Sequence, residues 1–351
     1  MTNKSLIDIT GKHSQMIVEL GDFAEILHWG VPIRGDLANF RVSLERPVPY
    51  GRLDNDVAMS LTPELGRGVF SSPALEGHRD GMDWAPVFSI ADIQQTPSSL
   101  LIESEDLRAG LRLTTELCLD EHDVVKSRHT LTNIKPGLYQ VSRLANTLPL
   151  PARANELMTY YGRWVHEFQT VRQPLQQGGY QQENRRGRTS HEHYPAMVVG
   201  TSNFNEMNGD VWGIHFAWSG NHRLRADVKA DGRRYVQAEV IYLPGEIALD
   251  EGETLTTPWL YASFSAAGLN GMSHQFHSHL RHSILPESFV QKPRPIHLNT
   301  WEGIYFDHDP NYIMSMASQA AEMGVERFII DDGWFIGRDG DKAALGDWFL
   351  D

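Results

Sequence analysis

The sequence predicts a mainly-β chain that ends in an α/β segment. Three observations carry this. Through residues 1–265 short runs recur with apolar residues at every second position, separated by Gly, Pro, Asn and Asp turn signals. No long helical pattern interrupts them, which argues for a large antiparallel β-sandwich. At Lys292-Pro-Arg-Pro295 each residue before a proline is held extended, and beyond it the pattern becomes strand, loop, helix, strand.

The clearest strand is 111–119, where Leu111, Leu113, Leu117 and Leu119 share one face. Runs at 15–20, 24–29, 124–133, 139–148, 211–218, 235–243 and 259–263 read the same way. Residues 273–284 read as a helix with Phe276, Leu280 and Ile284 on one face, closed by Pro286. The expected division is therefore a β-domain at 1–265, a helical linker at 266–292 and an α/β segment at 293–351.

Within that last segment, 296–299 is a short strand and 300–308 a loop. Asp309 is an N-cap with Pro310 at the first helical position, where its missing N–H costs nothing. Ile313, Ala317, Ala320 and Ala321 form the buried stripe of the helix, and Gly324 stops it. The run Arg327-Phe-Ile-Ile330 suits a parallel strand covered on both faces, and a right-handed βαβ crossover follows.

Charge narrows the function. Asp and Glu number 45 against 31 Lys and Arg, a formal net charge of −14. That balance opposes capture of nucleic acid or an anionic membrane and suits a neutral or cationic substrate. The single Cys118 cannot form an intramolecular disulfide, and charged residues break every apolar run in Met1 to Gly21. A cytoplasmic location is the expectation.

Ligands of parallel βα units gather at the carboxyl ends of the strands. Here those ends read Asn299-Thr-Trp301-Glu302 and Asp331-Asp332-Gly333-Trp334. Carboxylates accept hydrogen bonds from vicinal hydroxyls, and indoles offer a flat apolar face to the C–H side of a pyranose, so the set suits a sugar.

Plainer readings stand beside this one. Adjacent aspartates after a strand can be only a turn and an N-cap, or can hold Mg²⁺, although no Gly-rich phosphate loop accompanies them. His274, His277, His279 and His282 lack the zincin spacing, so a solvated or partner-facing helix is expected and no metal. The basic stretch 184–190, with His191 and His193 after it, reads as a solvated turn. No Gly-x-Ser-x-Gly elbow occurs, and nothing near Cys118 lowers its pKa. Asp339-Gly-Asp341 lacks the rest of a calcium loop.

The stretches Asn299-Thr-Trp-Glu-Gly-Ile-Tyr-Phe306, Gly324 to Phe335 and Ala344-Leu-Gly-Asp-Trp-Phe349 resemble the bacterial α-galactosidases of glycoside hydrolase family 36. Leu27-His-Trp-Gly30, Gly162-Arg-Trp164, Arg186-Gly with Ser190-His191, Trp218-Ser-Gly-Asn221 and Phe276-His with Arg281 are similar to stretches of its N-terminal domain. The resemblance implies a β-supersandwich, a (β/α)₈ TIM barrel and a small C-terminal β-domain in a homo-oligomer. It also implies retaining hydrolysis of terminal α-galactosides of the melibiose and raffinose type, without a cofactor.

By position the resemblance places Trp301 beside the galactose ring, Asp331 and Asp332 at its outer hydroxyls, and Trp334 in the same motif. Asp54 and Arg67 fall where family members send a loop into a neighbouring subunit's site, although Leu65-Gly-Arg-Gly-Val-Phe-Ser71 has no second arginine. The catalytic pair is expected beyond Asp351. Residues 293–351 are far short of the roughly 250 of a whole barrel, so the expectation is a truncated barrel that hydrolyses nothing alone. Alternatives are a galactosyl transferase or α-N-acetylgalactosaminidase of the same family, or a non-catalytic carbohydrate-binding β-sandwich.

Overall fold

A computed structural model describes residues 4–37, 39 and 59–351. The chain forms two compact units, Met1–Leu280 and Arg281–Asp351.

Among the described residues, the first unit holds antiparallel sheets of three, ten and six strands. The small sheet is the meander Ser5–Thr10, Gln15–Leu20 and Ala24–Gly30. The large one runs, in spatial order, through His166–Pro174, Glu156–Arg163, Ala196–Gly200, Val211–Phe216, Leu260–Ser265, Val124–Asn133, Leu111–Leu119, Ser99–Asp106 and Ser89–Gln95, with Thr254–Thr256 also on Val124–Asn133. The third is centred on Tyr139–Leu150, flanked by Arg234–Val240 and by Leu75–His78 and Ile247–Leu249. All three send side chains into one core, which includes Ile9, Met16, Leu117, Leu148, Trp212, Val236 and Phe264. That shared core makes the unit a β-sandwich.

Leu111–Leu119 alternates buried and half-buried residues along its whole length, as its period-two pattern requires. Thr115 is the polar member of the buried face. It sits opposite His129 in the register, and its hydroxyl lies 3.0 Å from Nδ1 of that histidine.

The helix departs from expectation. It spans Gly268–His279 and gives way to a wider π-type turn at Leu280–Ile284, where Leu280 and Ile284 are exposed. Met272, Leu269 and Phe276 instead pack on Met158, Val198 and Val211 of the large sheet. A Cβ on Gly213 would lie 2.2 Å from Met272 Sδ, so the bare glycine lets the helix approach. Half of the expected 266–292 linker thus belongs to the first unit. His279, expected on a solvated face, is buried, and its Nδ1 lies 2.6 Å from Asp120 Oδ2. His274 and His277 stay exposed.

In the second unit His297–Asn299 and Arg327–Ile329 pair in parallel, joined through helix Pro310–Glu322. Asp309 caps that helix, accepting from Asn311 N at 2.9 Å, and Gly324 follows it with φ +94°. Two expectations are corrected here. The 300–308 loop contains the helical turn Trp301–Ile304, closed on Thr300 O by Gly303 N and Ile304 N. Ile329 and Ile330, expected to be covered on both faces, are 37% and 44% exposed because this sheet has two strands.

Candidate functional site

The carboxyl ends of the two parallel strands are stitched together by Asn299. Its Nδ2 donates to Asp331 Oδ2 at 2.5 Å, while its Oδ1 accepts from Trp301 N at 2.8 Å. Thr300 adds a second tie, donating its N–H to Ile329 O and accepting at Oγ1 from Asp331 N at 3.1 Å. Strand pairing and these two side chains together bring Trp301 and Asp331 to one edge.

Asp332 is held by different means. Arg338 Nε donates to its Oδ1 at 3.0 Å and Nη2 to its Oδ2 at 2.7 Å, a two-point match of guanidinium to carboxylate. Gly333 N also donates to Oδ1, at 2.9 Å. Arg338 is 6% exposed, lies over the rings of Phe306 and Phe335, and donates Nη1 to Ala343 O. Its hydrogen bonds are the main reason that the Asp332 carboxyl sits below the usual carboxylate range. Gly333 has φ +102°, and a Cβ there would come within 3.0 Å of His308, so the turn after the aspartates needs glycine.

The aromatic residues form two groups. Trp301 stands edge-on to Tyr305 and Phe306, with centroids 5.2 and 5.1 Å away. Trp334 stacks on Trp348 at 6.2 Å and 21° and meets Phe335 edge-on. Ile336 N donates to Phe349 O and Asp351 N to Trp334 O, which folds the last residues back beside Trp334.

Both carboxylates keep acceptor capacity. Asp331 receives Asn299 Nδ2 and Asp332 N, Asp332 receives three donors, and an ionised carboxylate offers about four lone-pair positions. The result is a pair of oriented carboxylate acceptors on the same strand ends as Trp301, able to bind hydroxyls of a neutral polyol.

Of the other expected residues, Asp54 lies outside the described residues. Arg67 belongs to the first unit: its Nε lies 2.8 Å from Glu64 Oε2, a terminal nitrogen donates to Phe88 O, and the guanidinium covers the Phe23 ring. The sequence reading missed Arg338, which stands six residues past Asp332 with no motif to mark it. It also gave Asn299 and Trp348 no role of their own. Of the plainer turn-and-N-cap reading, the turn at Asp332-Gly333 is present, but among the described residues no helix follows for either aspartate to cap.

A model described as the glycosyl hydrolase family 36 N-terminal domain matches residues 22–250, and one described as melibiase matches residues 254–351. An alpha-galactosidase of Escherichia coli is 54% identical over 345 residues, which is 98% of this chain and 48% of that protein. Alpha-galactosidase AgaA of Geobacillus stearothermophilus is 32% identical over 259 residues, 73% of this chain and 36% of its own length. The crystal structure of AgaA superposes on 99% of this chain with a TM-score of 0.88 at 25% identity, using 52% of that chain. The alpha-galactosidase from Lactobacillus brevis shares the fold, with a TM-score of 0.88 at 23% identity over 100% of this chain and 51% of that one. The chain thus spans about half the length, or less, of these relatives. With the first of those models covering most of the described β-sandwich and relatives this similar across both units, the chain belongs to glycosyl hydrolase family 36.

Proposed function

We propose that this chain supplies the sugar-binding part of a retaining α-galactosidase that removes terminal non-reducing α-D-galactosyl groups from melibiose- and raffinose-type saccharides. The observation that carries the reading is the tethered pair Asp331 and Asp332 beside Trp301 at the ends of parallel strands. Two relatives that match are named alpha-galactosidases, and variants of AgaA are described in complex with raffinose and with stachyose.

Retention needs two carboxyl groups about 5 Å apart, one to attack the anomeric carbon and one to protonate the leaving oxygen and then activate water. Asp331 and Asp332 take neither role in this reading: Asn299 Nδ2 and the Arg338 fork engage their oxygens, which suits acceptors for hydroxyls. In this reading the parallel pair begins a (β/α)₈ barrel, and strands beyond Asp351 supply the catalytic pair. The exposed Ile296, Ile329 and Ile330 support it, since parallel strands are normally covered on both faces.

The test is an aryl α-galactoside assay on the 351-residue chain and on the product of the uninterrupted reading frame. The longer protein is expected to turn over with retained anomeric configuration, and Asp331→Ala or Trp301→Ala to lower its kcat/KM at least a hundredfold. An inert longer protein, or full turnover by the 351-residue chain, overturns the proposal.

A further inference from the structure

Two stretches of sequence far apart, which flank Gly162-Arg-Trp164 and include Ser190-His191, converge in the first unit on a recess of about 190 Å³. The hairpin Glu156–Arg163 and His166–Pro174 forms one wall, and the 189–194 segment the other. We infer that this recess is a binding subsite for a single neutral pyranose ring.

Strand alternation would send Tyr160 and Tyr161 to opposite faces, yet both line the recess. Just beyond these residues the register shifts between Tyr161 and Arg163, so the hairpin is irregular beside the recess. Gly162 permits it, because a Cβ there would lie 2.4 Å from His166 O. Val165 and Phe168 adopt φ +63° and +52°, which is rare for a β-branched or a bulky residue. Glu167 Oε1 accepts from Val165 N at 2.9 Å and holds that turn. The distorted hairpin sets the Phe168 ring 5.1 Å from Tyr194 and 6.2 Å from Tyr160, while leaving Phe168 61% exposed. Backbone strain of this kind, held in place to present an aromatic face, marks functional sites.

The opposite wall is prearranged as well. The basic stretch expected as a solvated turn is clamped: Arg186 pairs with Glu192, Asn184 Nδ2 donates to Arg188 O at 2.6 Å, and Gly187 N donates to Asn221 Oδ1 at 2.7 Å. This fixes exposed His191, and Ser190, whose buried hydroxyl has no hydrogen-bond partner among the described residues. The recess is lined by the rings of Tyr160, Tyr161, Phe168 and Tyr194 together with hydroxyl, imidazole and carboxylate groups, the mixture of flat apolar faces and polar partners that a pyranose takes. The volume lies below the roughly 300–1,000 Å³ of a drug-sized ligand's site, which suits one ring held in the recess.

The test titrates the 351-residue chain carrying Trp301→Ala with methyl α-D-galactopyranoside, by calorimetry and saturation-transfer NMR. Saturable binding is expected, weakened at least tenfold by adding Phe168→Ala and restored by Phe168→Tyr. Absence of binding in the Trp301→Ala chain, or affinity indifferent to Phe168→Ala, overturns the proposal. Should Phe168→Ala unfold the hairpin, His191→Ala at an exposed position decides instead: a several-fold loss supports the subsite and unchanged affinity overturns it. Sedimentation that shows a dimer abolished by Trp164→Ala, without sugar binding, assigns the surface to a second copy and also overturns it. The choice of probe rests on the α-galactoside reading, but a longer protein that binds here and hydrolyses nothing sinks only that reading.

Discussion

Arg338 grips both oxygens of Asp332, at 3.0 and 2.7 Å, from a position buried between the rings of Phe306 and Phe335. The second aspartate of the strand end is thereby a fixed anion and not a mobile side chain.

Removing that grip should free the aspartate. In Arg338→Ala the Asp332 carboxyl is expected to titrate nearer the ordinary range, followed by carboxyl NMR, because its main stabilising donor is gone. Galactoside affinity is expected to fall about tenfold. Arg338→Lys keeps the charge without the planar fork and should lie between the two. An Asp332 titration identical in all three proteins counts against this account.

His129 makes stability depend on pH. Complete burial lowers its pKa to about 4 from an ordinary 6.5. Between those values the unfolded chain binds a proton that the folded chain does not, so stability is full above pH 6.5 and falls as the pH drops towards 4. At pH 5 the loss attributable to this group is about 2 kcal/mol. Urea unfolding at pH 7 and pH 5 should show that slope in the wild type, and a flatter one in His129→Gln.

Asp123 anchors the first hairpin. It is buried and accepts from His13 N, Ser14 N and Ser14 Oγ, each at 2.9 Å. Asp123→Ala leaves these donors without their acceptor and should destabilise the chain by about 2–4 kcal/mol, whereas Asp123→Asn keeps an acceptor and should cost less. Equal denaturation midpoints for the two variants would contradict the assignment.

The Asp309 cap is a local device with a local cost. Asp309→Ala removes the acceptor for Asn311 N and should destabilise helix Pro310–Glu322 by about 1 kcal/mol, read as faster amide exchange in its first turn. Asp309→Ser should recover most of the loss.

The distribution of what could be read in advance follows from range. Leu111–Leu119 and Val124–Asn133 match their expected bounds because alternation is written along the strand itself. The helix at Gly268–His279 was misplaced by several residues, since Leu280 and Ile284 fit a helical stripe in sequence while Gly213, more than fifty residues away, decided which stripe was buried. That Trp301, Asp331 and Asp332 stand at the strand ends was legible because the strands that carry them are written in the local pattern. Arg338 was not, because its partner is chosen by a turn through Gly333 that no periodicity describes.

By itself the sequence determined the longer alternating strands, the Asp309-Pro310 start, the acidic charge balance and the placing of carboxylates and indoles at the strand ends. Each depends on neighbours a few residues apart. Only the tertiary structure decided that His279 is buried against Asp120, that Arg338 fixes Asp332, and that residues 160–168 and 189–194 share a recess. Those outcomes depend on which distant segments meet and which side chains they desolvate.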